Sequence, residues 1–140
     1  MFTTMQIFAQ DGETCATAID LGTLTSPFEG TTVGATDDYT PSCTTTITGN
    51  PDLVFSISVP NGYTLNIGQT SNIGVDANGN PINYDSIHSL YYGTCESQTL
   101  IVCTDDPDTI AEGANSQTVW ENTTGTVSYT HLTLPTKRIV

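Results

Sequence analysis

Leu53-Val54-Phe55-Ser56-Ile57-Ser58-Val59 has an apolar residue at every odd position, with Ser56 and Ser58 on the opposite side. Period two is the signature of a strand with one buried face, and a helix cannot use it. Pro60-Asn61-Gly62 then signals a turn, and Tyr63-Thr64-Leu65-Asn66-Ile67 alternates again. The spacing predicts two neighbouring antiparallel strands. Leu53, Phe55, Ile57 and Val59 are expected inside, with Tyr63, Leu65 and Ile67 packed beside them. A hairpin is predicted from Ser86–Tyr92 and Gln98–Cys103, turning through Gly93-Thr94-Cys95-Glu96. Shorter strands are expected at Ala18–Leu21, Phe28–Val33 and Gln117–Glu121, with Ala16–Ile19 as a competing short helical turn. Val75–Tyr84 is dense in Asn, Gly and Pro and reads as a loop. Short strands at regular intervals predict an all-β fold, an antiparallel β-sandwich or jelly roll, in one domain.

Charge narrows the function. Residues 1–126 hold all fifteen Asp and Glu residues and no Lys or Arg, a formal charge of −15; Lys137 and Arg138 are the only basic residues. Contacts to nucleic-acid phosphates or anionic lipid need the cations this stretch lacks. The carboxylates must instead be solvated or hold cations. No apolar run is long enough to span a membrane. Met1–Gln10, ending Phe8-Ala9-Gln10 before Asp11-Gly12-Glu13, reads as a signal-peptide remnant.

Four cysteines, Cys15, Cys43, Cys95 and Cys103, fit an exported protein with two disulfides. Their spacing lacks the close pairs of a zinc knuckle, and no suitable histidine lies near them. The expected pairing is Cys15–Cys43 and Cys95–Cys103, the second closing the hairpin and the first tying the N-terminal segment to the sheet.

Residues 127–136, Val-Ser-Tyr-Thr-His-Leu-Thr-Leu-Pro-Thr, resemble one translated frame of a sequencing-library transposase adapter. Residues 127–140 are therefore expected to be a non-native tail and are set aside with His131, the competing reading being a natural β-strand, which the composition also suits. The domain is expected over residues 11–126.

Gly12-Glu13-Thr14-Cys15-Ala16-Thr17-Ala18-Ile19 resembles the opening of secreted bacterial modules of the pre-peptidase C-terminal family. Thr32-Val33-Gly34-Ala35-Thr36-Asp37-Asp38-Tyr39, Pro51-Asp52-Leu53-Val54-Phe55-Ser56-Ile57, Tyr84-Asp85-Ser86-Ile87 and Gly93-Thr94-Cys95, leading to Cys103-Thr104-Asp105-Asp106, follow in the same order. The resemblance implies a β-sandwich appended to exported enzymes or surface proteins, commonly peptidases. The family's closing strands would follow where the adapter-like tail begins, so the sandwich is expected to lack its last strands.

The acidic clusters are the candidate sites. Asp105, Asp106 and Asp108 are the first choice of Ca²⁺ ligands, Asp37 and Asp38 the second, Asp11 and Glu13 the third. Loop carboxylates suit Ca²⁺, which takes six to eight oxygens in flexible geometry; Mg²⁺ fits less well. Calcium binding near the N-terminal linker in some family relatives supports Asp11 and Glu13 by resemblance. The competing reading is that Asp at turns caps local backbone. Asp76-Ala77-Asn78-Gly79-Asn80 opens like an EF-hand loop, but Pro81 and Ile87 stand where glycine and a bidentate glutamate belong. A polar hairpin loop is expected there.

His88, the one histidine outside the tail, is expected to face solvent or a neighbouring strand. No Gly-x-Ser-x-Gly elbow accompanies it, and the acids lie in polar turn sequences rather than the apolar pocket that paired-carboxylate hydrolysis needs. Tyr39, Tyr63, Tyr84, Tyr91, Tyr92 and Trp120 would form a sugar-stacking platform if exposed together, or cross-strand packing if not. Asn122-Thr123-Thr124 matches a glycosylation sequon. The expectation is a non-catalytic, extracellular or cell-surface accessory module that attaches, spaces or targets a parent enzyme or surface protein. Its partners would be the parent's other domains and an extracellular polysaccharide or protein. The alternatives are a carbohydrate- or protein-binding module with a defined ligand face and, less well supported, a hydrolase domain.

Overall fold

The computed structural model of the 140-residue chain describes residues 11–24, 32, 34–43, 51–68, 73–75, 78–83, 85–105, 117–124, 128–133 and 136–137. These form an all-β, mainly antiparallel structure. Its strands are β1 (Ile19–Asp20), β2 (Val54–Val59), β3 (Thr64–Gly68), β4 (Ile73–Val75), β5 (Pro81–Asn83), β6 (Asp85–Ser86), β7 (His88–Thr94), β8 (Ser97–Thr104), β9 (Gln117–Glu121), β10 (Ser128–Thr133) and β11 (Thr136–Lys137). Single turns of 3-10 helix at Cys15–Thr17 and Leu21–Thr23 flank β1.

A five-stranded sheet runs in the order β1-β2-β10-β7-β8. Only the β1–β2 pair in it is parallel. Three two-stranded ribbons, β3–β9, β4–β5 and β6–β11, complete the described strands. The core lies on β2 and β7 and the residues leading into them, where Leu53, Val54, Phe55, Val59, Ile87 and Leu90 are buried. Ile19, Leu21, Ala35 and Ile67 pack on Leu53 and Phe55. Ile67 belongs to β3, so the β3–β9 ribbon covers the large sheet there. A buried side chain the size of Phe55 contributes about 3 kcal/mol of transfer free energy.

Two expectations are corrected. The 53–59 and 63–67 runs are both strands but not partners: β2 pairs with β1 and β10, and β3 pairs with β9 through Leu65↔Trp120 and Ile67↔Thr118. Periodicity specifies a strand's faces, not its neighbour. Nor are the faces of β2 strictly odd and even. Val54 is buried with Leu53 and Phe55, Ile57 is half-buried, and Tyr63 is exposed. Ser56 is half-buried and Ser58 exposed, as the pattern predicts.

The second correction is the disulfides, which are Cys15–Cys95 and Cys43–Cys103, each with a Cα–Cα distance of 5.6 Å. Cys95 lies in the turn between β7 and β8, and Cys103 near the far end of β8. Eight residues of extended chain separate them by roughly 26 Å, so they cannot bond to each other. The observed bridges span 80 and 60 residues. Chain entropy gives each alone about 4 kcal/mol, in a model-dependent estimate. They fasten the N-terminal segment and the 41–43 turn to opposite ends of β8.

Residues 128–133 form β10, the middle strand of the large sheet. In the segment expected to be a non-native tail, strand formation is compatible with either origin. Fold reasoning over 11–126 alone omits the strand that joins β2 to β7.

Other readings hold closely. β9 matches Gln117–Glu121, and β7 and β8 form the predicted hairpin, with a register shift between Leu90 and Tyr91. Gly93, at φ +118°, is required there, because a Cβ would lie 2.2 Å from the Ser97 carbonyl oxygen. The Asn78-Gly79-Asn80 stretch lies in the turn between β4 and β5, a polar hairpin, although the segment read as a loop over Val75–Tyr84 holds the end of β4 and all of β5. The strand predicted at Phe28–Val33 lies outside the described residues, except Thr32.

Candidate functional site

Three chain segments meet beside the start of β2. Gly12, at φ +91°, turns the chain so that its carbonyl accepts from the Val54 N–H at 2.7 Å and its N–H donates to the Thr17 carbonyl at 2.7 Å. This close approach carries the next residue, Glu13, into a buried position. The Asp52 N–H donates to the Thr36 carbonyl at 3.0 Å, which brings residues 36–39 alongside.

The side chains interlock. Glu13 Oε2 accepts from Thr36 N at 3.1 Å and from Thr36 Oγ1 at 2.6 Å. Thr36 Oγ1 is also in close contact with Asp38 Oδ2. One hydroxyl hydrogen cannot serve both carboxylates. Asp52 Oδ2 accepts from the Asp38 and Tyr39 N–H groups, both at 3.0 Å. The Tyr39 hydroxyl accepts from Cys15 N at 3.1 Å, closing the ring back to the N-terminal segment.

Each buried acid therefore has one satisfied oxygen and one, Glu13 Oε1 and Asp52 Oδ1, without a hydrogen-bond partner among the described residues. Such atoms cost free energy unless something fills the place. Asp52 is 1 % exposed. Burial is the main cause that pushes its pKa up to about 6; the Tyr39 and Asp38 N–H bonds oppose the rise, and the charges of Asp38 and Asp37 add to it.

The predicted ligand sets fare differently. Glu13 and Asp38 come together at Thr36, and Asp37 lies exposed close by, near enough to act on Asp52. Asp11 is exposed, at the rim of a shallow depression with Thr17 and Asp20. Asp105 is half-buried at the end of β8, and Asp106 and Asp108 lie outside the described residues. Among the described residues, no three His, Cys, Asp or Glu side chains converge on one metal position. Asp52 was missed by the site reading. Odd–even alternation placed it on the exposed side of β2, whereas both sides of the chain are covered at residues 52–55. The available signal was an acid directly preceding a hydrophobic strand.

His88 is fully buried. Its Nε2 lies 3.3 Å from Ser86 Oγ and its Nδ1 3.5 Å from Thr118 Oγ1, which donates to Thr104 Oγ1 at 3.0 Å. This polar tie links β7, β8 and β9. Burial lowers the His88 pKa to about 4, so the ring is neutral at pH 7. Tyr91 is half-buried and Tyr92 exposed, on opposite sides of β7. Tyr39 and Trp120 are half-buried, and Tyr84 lies outside the described residues. The exposed Tyr63 directly precedes β3 of the β3–β9 ribbon, whereas the exposed Tyr92 lies on β7 of the large sheet. The sequon residue Asn122 is buried: its Nδ2 donates to the Val59 carbonyl at 2.7 Å, and its Oδ1 accepts from Thr124 N and Oγ1 at 3.0 and 2.7 Å. Among the described residues, no helix is long and apolar enough to cross a membrane. No family model, curated protein or solved structure matches the chain.

Proposed function

We propose that this is a non-catalytic accessory module of an exported protein, a β-sandwich of the pre-peptidase C-terminal kind. A bound divalent cation holds its N-terminal segment against the sheet. The observation that carries this reading is the pair of buried, unpartnered carboxylate oxygens, Glu13 Oε1 and Asp52 Oδ1, on segments containing no Lys or Arg. Hard oxygen donors of this kind suit Ca²⁺, with backbone carbonyls and water as further ligands. Extracellular modules bind Ca²⁺ at roughly 10⁻⁴–10⁻³ M, and the site proposed is of that weak kind. Two disulfides fit an oxidising, extracellular setting.

The accessory role is supported by where the polar groups are used. Both His88 nitrogens lie on hydroxyls that join strands, and the two disulfides clamp the N-terminal side to the β7–β8 hairpin. The segment leading into the module is thereby held mechanically, as suits a spacer or an attachment domain.

The test is thermal unfolding with CaCl₂ against NaCl at equal ionic strength. A ligand that binds only the folded form stabilises it by about 2.7 kcal/mol at one hundred times its Kd. Calcium should raise Tm beyond the NaCl value, and Glu13→Gln and Asp52→Asn should each remove that difference. Equal melting in the two salts would reject the cation. Hydrolysis of peptide or glycan substrates that is lost on His88→Gln would reject the non-catalytic reading.

A further inference from the structure

The two disulfides differ in their surroundings. Cys95 is exposed in the turn between β7 and β8, and its partner Cys15 is half-buried. Both residues line an open hollow of about 410 Å³, together with Ser56, Gly93, Thr94 and Glu96. An incoming thiol therefore has room beside this bridge. At the other bridge Cys43 is exposed, but Cys103 is half-buried within β8. Its Sγ lies 3.4 Å from Oγ of the fully buried Ser89 and accepts from the Cys43 N–H at 3.2 Å. That sulfur is held against β7.

Thiol–disulfide exchange depends on access to one sulfur and on how well the other leaves as a thiolate. At Cys15–Cys95 the neighbours distinguish the two roles. Gln98 Nε2 donates to Cys15 Sγ at 3.2 Å, so a thiolate formed there is already met by an N–H. Cys95 is followed by Glu96, whose carboxyl is held below its usual range by hydrogen bonds from its own N–H and from the Thr94 side chain. An ionised carboxylate beside Cys95 opposes a second anion at that sulfur. Attack on Cys95 with departure of Cys15 is the favoured direction. The same carboxylate is the one charged group among the described residues lining the hollow, and residues 1–126 add no Lys or Arg to offset it. An anionic thiol is repelled on approach.

We propose that the Cys15–Cys95 bridge is a thiol-exchange site, which takes an uncharged or cationic thiol onto Cys95 and releases Cys15. The thiolate of the incoming molecule attacks Cys95 Sγ. A new S–S bond forms there as the Cys15–Cys95 bond breaks, and the bond's electron pair leaves on Cys15 Sγ, which takes a proton from water. The products are a mixed disulfide on Cys95 and a free thiol on Cys15, with no other oxidant or reductant involved. Opening loosens the segment that carries Glu13, because Cys15 follows it by two residues and its N–H holds the Tyr39 hydroxyl. This consequence for cation binding rests on the function proposed above; the exchange itself does not.

The test treats the folded, fully oxidised chain with cysteamine, 2-mercaptoethanol or thioglycolate, whose substituents are cationic, uncharged and anionic. Each rate is divided by that thiol's rate on bis(2-hydroxyethyl) disulfide. Released cysteines are blocked with iodoacetamide and located by mass spectrometry. The expected result is an adduct on Cys95, alkylation on Cys15 and an intact Cys43–Cys103 bridge, with the far-UV circular dichroism unchanged. Cysteamine should react about tenfold faster than thioglycolate at low salt, and NaCl should close that gap. Glu96→Gln should narrow it as well. Gln98→Leu should slow the release of Cys15 about fivefold at unchanged Tm. An adduct on Cys15, earlier opening of Cys43–Cys103, or opening only when the chain unfolds would overturn the proposal. Equal normalised rates for the three thiols would overturn the charge selection. In the opened, blocked protein the extra Tm rise given by CaCl₂ over NaCl should shrink. If that rise is already absent in the oxidised chain, the cation reading fails, while the position of the adduct still decides the exchange.

Discussion

Asp52 and His88 make opposite contributions to stability over the same pH range, and separating them is a quantitative test of both sites. The Asp52 pKa is raised from 3.8 to about 6. The folded state therefore holds the Asp52 proton more tightly than the unfolded chain does. That stabilisation is complete below about pH 4 and is lost as pH rises through 6. The His88 pKa is lowered from 6.5 to about 4. Its neutral ring stabilises the fold above pH 6.5, and that contribution is lost as pH falls toward 4. At about 1.4 kcal/mol per unit, each effect is on the order of 2–3 kcal/mol. In the unsubstituted chain the two nearly cancel between pH 4 and 6.5. The perturbations are Asp52→Asn and His88→Gln, with stability measured by urea unfolding in a chelator-containing buffer from pH 4 to 8. Asp52→Asn removes the Asp52 term, so the stability of that variant should fall by about 2 kcal/mol on acidification from 6.5 to 4. His88→Gln should show the reverse, gaining about 2 kcal/mol over the same interval. Subtracting the unsubstituted profile removes the other carboxylates, which all three chains share. Three parallel profiles would refute the reasoning, because neither group would then bind protons differently in the folded and unfolded states.

Gly93→Ala places a Cβ against the Ser97 carbonyl oxygen at a positive φ. It should cost about 2 kcal/mol or more in urea unfolding, whereas Gly79→Ala, with open space around it, should cost less. Asn122→Ala should lose about 2 kcal/mol, because the buried Val59 carbonyl loses its side-chain donor. Peptide mapping after expression in a glycosylating host should find Asn122 unmodified in folded protein.

Local pattern carried the strands and little of what joins them. Gln117–Glu121 and the 86–104 hairpin were legible because β-branched and aromatic residues alternate between turn residues. Partner choice was not legible. The alternation of Leu53–Val59 is equally compatible with a neighbour at 63–67 and with β10, and sequence proximity favoured the wrong one. The disulfides failed for the same reason: Cys95 and Cys103 are near in sequence, but an extended strand holds them apart. At the candidate site, Glu13 and Asp38 were legible as acids in turns. Their meeting at Thr36 depends on backbone contacts between segments more than 20 residues apart, which no local pattern records. Residues 127–136 were set aside for their resemblance to an adapter; residues 128–133 form a strand, which a natural segment and a translated adapter of strand-like composition both allow.

The charge imbalance and the site are one argument. A buried carboxylate is ordinarily met by Lys or Arg, and residues 1–126 contain neither. Here neutral donors take that place. Thr36 serves Glu13, the Asp38 and Tyr39 N–H groups serve Asp52, and the Gly22 N–H serves Asp20 at 2.9 Å. A neutral donor satisfies one carboxylate oxygen and cancels no charge. At Asp20, which is exposed, water supplies the rest. At Glu13 and Asp52 burial excludes water, and one oxygen of each is left without a donor. The deficit has to be met from solution, by a proton at Asp52 in acid or by a cation at neutral pH. The two routes differ in one measurable respect. A proton alone makes stability fall from acid to neutral pH whatever the salt, whereas Ca²⁺ competing for the same oxygens raises neutral-pH stability and flattens the Asp52 contribution. In His88→Gln, where that contribution is exposed, adding CaCl₂ should therefore reduce the pH dependence between 4 and 6.5. An unchanged slope would show that protons alone meet the deficit and that the Glu13–Asp52 site does not bind the metal.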